Sequence, residues 1–266
     1  MQLAKYVGGI ARLLLVALGP LIAFADVPQH EVRIEGNGPR VVVFEAGLGD
    51  TLDVWQEIQP RIAAKCARTF AYSRAGYLGS DVPAAARDAA TIVGELREEL
   101  RRQHLSPPYV LVGHSLGGLY MQYFARNFPG DVKGLVLIDS THWHQGLTID
   151  AGANTLYQTR KTVTLFMPWI ERREVNESTE AGREVHESPI AGSVPTIVLS
   201  STKLWHGETE DQRARAITLQ NDIAADFPAA RHVFVEDSGH YIQREHPEAV
   251  IEAIRDVAGC ELVARR

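Results

Sequence analysis

Short apolar runs recur along this chain, each bounded by glycine, proline or polar residues: "VVVFE", "ARTFAYS", "PYVLVG", "KGLVLID", "VPTIVLS" and "RHVFVED". Runs of this length that are apolar at successive positions are strands covered on both faces. The cover is supplied between them. "DVWQEIQPRIAAKC" has the helical spacing of Trp55, Ile58 and Ile62 despite Pro60, and "AATIVGELREELRRQ", "LGGLYMQYFARNF" and "EDQRARAITLQNDIAADF" have the same character. "PEAVIEAIRDVA" closes the pattern with Pro247 in its first turn. One further strand, "EVRIE", precedes the first run across a Gly-Asn-Gly-Pro turn. The alternation specifies an α/β fold built on a mostly parallel, doubly wound sheet. Reactive groups in such sheets gather at the carboxyl ends of the strands. Here these are residues 47–50, 73–76, 114–118, 139–144, 200–203 and 237–240.

The alternation lapses between residues 140 and 194, which hold "TLYQTRKTVTLFMPWIERREVNE" and further polar, helix-like sequence up to His186. A connection of that length between two strands forms structure of its own. The domain reading is therefore a core of residues 26–139 and 195–266 carrying a helical cap, 140–194. Leu156, Tyr157, Leu165, Phe166, Met167 and Trp169 would line a substrate site, fasten the cap to the core, or do both.

Residues 1–25 differ from the rest. Lys5 and Arg12 are their only charges, "LLLVALGPLIAFA" is apolar, and Ala23-Phe24-Ala25 supplies a small-x-small cleavage pattern. These are the parts of a secretory signal peptide, with an uncleaved anchor as the alternative; the apolar run is short for a span. Cleavage before Asp26 predicts an exported protein with no stable membrane anchor. It also leaves 25 Lys+Arg against 33 Asp+Glu, a net charge of −8. With no basic stripe, nucleic acid is excluded as a partner. Cys66 and Cys260 are either a disulfide of an oxidising compartment or two separate thiols.

"LVGHSLGGLY" carries the chemistry. A buried strand, Gly-x-Ser-x-Gly and a helix form the nucleophile-elbow pattern, with Gly113 and Gly117 relieving clashes on either side of Ser115. The following helix aims unpaired N–H groups at an oxyanion. A serine hydroxyl needs a base. His240, after the strand "HVFV" and before the last helix, has the right place in the order Ser, acid, His. His246 precedes Pro247 and reads as a surface or capping residue. His114 is expected on the other side of the elbow. His142 and His144 lack a clear third ligand, so no metal and no cofactor is read from this sequence.

"GHSLGG", "AYSRAGYLGS", "FEAGLGD", "VLIDS" and "SGHYIQREHPEAV" together resemble the α/β-hydrolase superfamily, in its serine-nucleophile branch with a helical cap (esterases and prolyl aminopeptidases). The resemblance spans essentially the whole mature chain and is weakest in the cap. It implies that Gly47-Leu48 stands where the oxyanion loop stands, so that the backbone N–H groups of Leu48 and Leu116 form the oxyanion hole. Ala46 replaces the common histidine of that loop, and Ser73 the usual aspartate before Arg74-x-Gly. In many relatives the acid follows the strand after the cap. Here that place reads "VLSSTKLWHGETED", without a carboxylate until Glu208. Asp139, at the end of the strand before the cap, is the alternative that other members resemble. Its competing role is a local turn cap in Asp-Ser-Thr. Glu208, Glu210 or Asp211 folded back, or no effective acid at all, remain open.

These residues predict an exported serine hydrolase acting through an acyl-enzyme on a small-molecule ester of small to medium acyl chain: Ser115 nucleophile, His240 base, Asp139 acid. A prolyl-type aminopeptidase acting on a small amide or peptide is the alternative, with Glu171, Glu174, Glu177 and Glu180 either holding a substrate amine or forming a solvated helix face. Acyl transfer would use the same residues. A ligand-binding protein that kept the fold without turnover is the reading from another class. Nothing in the sequence specifies an oligomeric state.

Overall fold

The computed structural model describes residues 28–65, 67–145, 166–190, 192–204 and 208–260. Residues 1–27, with them the expected leader, Cys66 and residues 146–165 of the expected cap lie outside the described residues. So do Leu156, Tyr157 and Leu165 of the cap, and with Cys66 the question of its pairing. Cys260 is disulfide-bonded.

Seven strands form one sheet in the order β1-β3-β2-β4-β5-β6-β7. They are β1 (Val32–Glu35), β2 (Val41–Glu45), β3 (Arg68–Tyr72), β4 (Tyr109–His114), β5 (Val132–Ile138), β6 (Thr196–Ser201) and β7 (Ala230–Val235). All pairings are parallel except that of β1, which lies antiparallel to β3 at the edge. The turn between β1 and β2 therefore does not make them neighbours.

The side-chain period of two divides each strand between two cores. Val43, Phe70, Tyr72, Leu111, Leu135, Leu137 and Val198 point to one face. There they meet α2 (Ala89–Arg102), α3 (Leu116–Asn127) and residues of α4 (Trp169–Glu187) and α5 (Glu210–Ala225). Val42, Phe44, Ala71, Val110, Val112, Val136, Ile138 and Leu199 point to the other. That face is covered by α1 (Gln59–Ala63), the short α6 (Ile242–Glu245) and α7 (Pro247–Ala258). The segment read as one helix from Asp53 to Cys66 is a 3-10 turn, Leu52–Trp55, followed by α1, with Pro60 in the first turn of α1. Within residues 140–194, α4 packs on α2 and α3 and buries Ala181 and Val185 in the first core. No helix of the described residues is long and apolar enough to cross a membrane.

The strand order reverses between β2 and β4: from β2 the chain moves outward to β3, then returns to build β4 on the other side. A sheet opens a crevice beyond its carboxyl edge at such a switch point. Here the loop after β2 and the turn after β4 border that crevice.

The packing of α7 against β5 is tight enough to test. A Cβ added at Gly134 would stand 2.7 Å from Val257 Cβ. Gly134→Ala is expected to destabilise by about 1–3 kcal/mol through overpacking, read as a lower urea midpoint at unchanged m. An unchanged midpoint would contradict this packing.

Candidate active site

β4 ends at His114 and α3 begins at Leu116, leaving Ser115 alone at the turn, with φ 51° and ψ −122°. An L-residue occupies such a conformation only where its surroundings hold it there. Ser115 N–H donates to the Ile138 carbonyl at 3.0 Å, and the Ser115 carbonyl accepts from Gly118 N and Thr141 N, both at 2.9 Å. The glycines allow the approach. A Cβ at Gly113 would lie 2.7 Å from Gly118 Cα, and one at Gly117 2.4 Å from the Ala46 carbonyl oxygen. Leu116 opens α3, so its N–H has no intrahelical acceptor.

Asp139 follows β5, also at positive φ (41°), and its carboxylate is engaged on both oxygens. Oδ1 accepts from Ser201 N at 3.2 Å, and Oδ2 accepts from Ser201 Oγ at 2.9 Å and from His240 Nδ1 at 2.7 Å. Burial pushes this carboxyl up, but the hydrogen bonds from His240 and Ser201 outweigh it and hold it below its ordinary value. A carboxylate accepts only, so Nδ1 of His240 carries the hydrogen and a neutral ring bears its lone pair on Nε2, as a general base requires.

The other carboxylates considered from sequence are engaged differently or exposed. β6 ends in Ser201, to whose hydroxyl Arg213 donates at 2.8 Å, and Arg213 pairs with Glu208 at 2.6 Å. Glu210 and Asp211 are exposed in the first turn of α5. On α4, Glu174 is buried against Arg74, Glu177 pairs with Arg173, and Glu180 with Arg183. Of these carboxylates Glu208 lines the cavity described below, whereas Glu171, Glu174, Glu177, Glu180, Glu210 and Asp211 do not.

His114 departs from expectation. Its ring lies on the His240 side, with centroids 4.6 Å apart, and its Nε2 sits 3.0 Å from the His240 carbonyl oxygen. A carbonyl only accepts, so Nε2 carries the hydrogen. Nδ1 faces Asp50 Oδ2 at 3.8 Å. Burial, reinforced by the charge of a protonated His240, lowers the pKa of His114 to about 3. The sequence places His114 next to Ser115, but only the fold reveals that it buttresses His240.

Ser115, Asp139 and His240 line one cavity of about 490 Å³. Gln145, Glu208, Gln212, Arg213, Arg215 and Gln220 bring polar groups to its wall, and Ala216 and Leu219 add aliphatic patches. Phe166, Met167 and Trp169 do not line it, and Phe166 and Trp169 are exposed. Among the described residues no group of three or more His, Cys, Asp or Glu is arranged to hold a metal ion.

Comparison with known proteins agrees with the fold. A family model described as the alpha/beta hydrolase fold matches residues 40–158. An uncharacterized protein of Bacillus subtilis, YqjL, is 28% identical over 88% of this chain and 90% of its own length. The 2-(acetamidomethylene)succinate hydrolase of Mesorhizobium japonicum is 25% identical over 84% of this chain and 89% of its own. An esterase from Exiguobacterium antarcticum superposes with a TM-score of 0.64 at 16% identity, over 87% of this chain and 96% of that one. A thermophilic esterase from Thermogutta terrifontis gives 0.58 at 18%, over 85% and 92%.

The buried His114 makes a pH prediction. Its folded pKa is depressed, so the stability it contributes is present above its ordinary 6.5 and lost as pH falls towards about 3. Across that window the wild-type stability is expected to fall more steeply than that of His114→Gln, by up to about 1.4 kcal/mol per pH unit. Urea titrations at stepped pH check this, and equal slopes would contradict it.

Proposed function

We propose, from a chain that belongs to the α/β-hydrolase fold family, an exported serine hydrolase that cleaves carboxylic esters through an acyl-enzyme. The observation that carries this reading is the convergence in one cavity of Ser115, held at a strained turn, with His240 and the Asp139 carboxylate bonded to His240 Nδ1. Ser115 Oγ attacks the ester carbonyl carbon while His240 Nε2 takes the hydroxyl proton. The oxyanion of the tetrahedral intermediate accepts from the backbone N–H groups of Leu48 and Leu116. Collapse expels the alcohol, protonated by His240, and leaves the acyl group on Ser115. Water, deprotonated by His240, then releases the acid and restores the serine. Asp139 keeps the imidazole in the required tautomer and stabilises its protonated form.

A cavity of about 490 Å³ with a wall of mixed polar and apolar character suits a small or medium substrate. The similarity to two esterases of known structure and to a 2-(acetamidomethylene)succinate hydrolase supports hydrolysis of small carboxylic derivatives. The absence of a carboxylate after β6 was the reason to consider a binding protein without turnover; the Asp139–His240 contact speaks against it. Export rests on the leader pattern, and the disulfide at Cys260 agrees with an oxidising compartment.

A panel of p-nitrophenyl esters with a proline anilide as control tests the reading. Ester turnover is expected, abolished in Ser115→Ala and reduced up to about 10⁴-fold in kcat in Asp139→Asn. Turnover of Asp139→Asn within about threefold of wild type would remove Asp139 from the mechanism.

A further inference from the structure

The loop after β2 is held from beneath by a residue that the mechanism above does not use. Arg74 is buried, and its guanidinium is hydrogen-bonded all round. Nη1 donates to the Glu45 carboxylate at 2.8 Å and to the Ala46 carbonyl at 2.6 Å. Nη2 donates to the Gly47 carbonyl at 2.9 Å and, with Nε, grips both oxygens of Glu174 at 2.8 and 2.7 Å. Glu174 belongs to α4, exactly one hundred residues along the chain and on the cap side of the molecule. Tyr77 closes the circuit: its hydroxyl donates to Glu174 at 2.7 Å and accepts from Gly49 N–H at 3.1 Å.

The Gly47 carbonyl belongs to the same peptide unit as the Leu48 N–H. In a planar trans peptide the two point in opposite directions. Fixing the carbonyl on Arg74 therefore sends the Leu48 N–H away from the guanidinium, as a donor to an oxyanion must be sent. On its other side the same loop is confined by His114, whose Nδ1 lies 2.9 Å from where a Gly47 Cβ would stand.

We infer that Arg74, Glu174 and Tyr77 are positioning residues that set the oxyanion peptide from the cap helix. The proposal rests on the reading of Leu48 as an oxyanion donor. Its effect is one of orientation more than of field. Arg74 faces two carboxylates, and burial raises the pKa of Glu45 despite the opposing charge of Arg74. The group therefore offers little uncompensated positive charge to a distant oxyanion. A misaimed donor, in contrast, forfeits much of a contribution worth about 10²–10³ in kcat when a donor is removed outright. Glu174 holds the guanidinium fork at a fixed angle, because a bidentate Arg–carboxylate pair tolerates little rotation. The position of α4 is thereby transmitted to the oxyanion loop.

Glu174→Gln, Tyr77→Phe and Arg74→Lys are compared with wild type on p-nitrophenyl butyrate and on a trifluoromethyl ketone, whose serine adduct bears the oxyanion. In Glu174→Gln we expect kcat to fall about tenfold with KM within about twofold, a misaimed donor keeping part of the effect of one removed. The inhibition constant for the ketone should rise by the same factor as kcat/KM falls. Tyr77→Phe should follow in the same direction and less steeply. A merely structural role would lower Tm or the active fraction without tying ketone affinity to turnover. Folded variants with unchanged ketone affinity would overturn the inference, whatever their turnover. If Arg74→Lys fails to fold, the other two variants decide. A wild type that neither hydrolyses the ester nor binds the ketone would instead overturn the hydrolase reading itself.

Discussion

The close backbone contact at the carboxyl end of β4 is the constraint on which the site depends. Strand β4, the start of α3 and the loop after β2 approach one another so closely that Gly113 and Gly117 have no room for a side chain. Ser115 is forced into a positive φ, and hydrogen bonds from Gly118 and Thr141 to its carbonyl, with its own N–H bonded to Ile138, hold it there. The same contact sets the Leu116 N–H, at the helix start, beside the loop that carries Leu48. A larger residue at either glycine would therefore disturb Ser115 and the loop after β2 together, since both are boundaries of one packing event.

Two polar assemblies extend this constraint. On one side, Ser201 and Asp139 fix the Nδ1 edge of His240, and His114 holds its backbone carbonyl. On the other, Arg74 and Glu174 grip the carbonyls beneath the oxyanion loop. Burying an arginine with two carboxylates is no cheap way to gain stability, because desolvation offsets much of the attraction. What such a group gives is definition: each hydrogen bond fixes a backbone carbonyl or a side-chain angle that apolar packing would leave loose. Placing it under the loop after β2, which packs on the turn that carries Ser115, fits that use.

Much of this was legible in the sequence. Successive apolar residues marked the strands, because a strand covered on both faces cannot alternate. Gly-x-Ser-x-Gly between a strand and a helix marked Ser115, and chain order marked His240. Asp139 was legible only as one of several carboxylates, since its contact with His240 joins strand ends that are distant in sequence and adjacent in the sheet. The Arg74 assembly was illegible for the same reason. Its partners Glu45 and Glu174 look like ordinary surface charges until β2, β3 and α4 bring them together. His114 was misplaced because sequence neighbours in a strained turn do not follow the alternation of a strand. The acidic run on α4 was read as an amine site or a solvated face. In fact Glu174 turns inward to Arg74, while Glu180 pairs outward with Arg183.

The central claim is that Ser115 carries the acyl group between two half-reactions. The most direct measurement is a pre-steady-state reaction with p-nitrophenyl acetate, quenched within milliseconds and followed by intact-mass and peptide mass spectrometry. A burst of p-nitrophenol approaching one equivalent per chain is expected, with an acetyl group on the peptide that contains Ser115. No acyl adduct at Ser115, despite steady ester turnover, would contradict it.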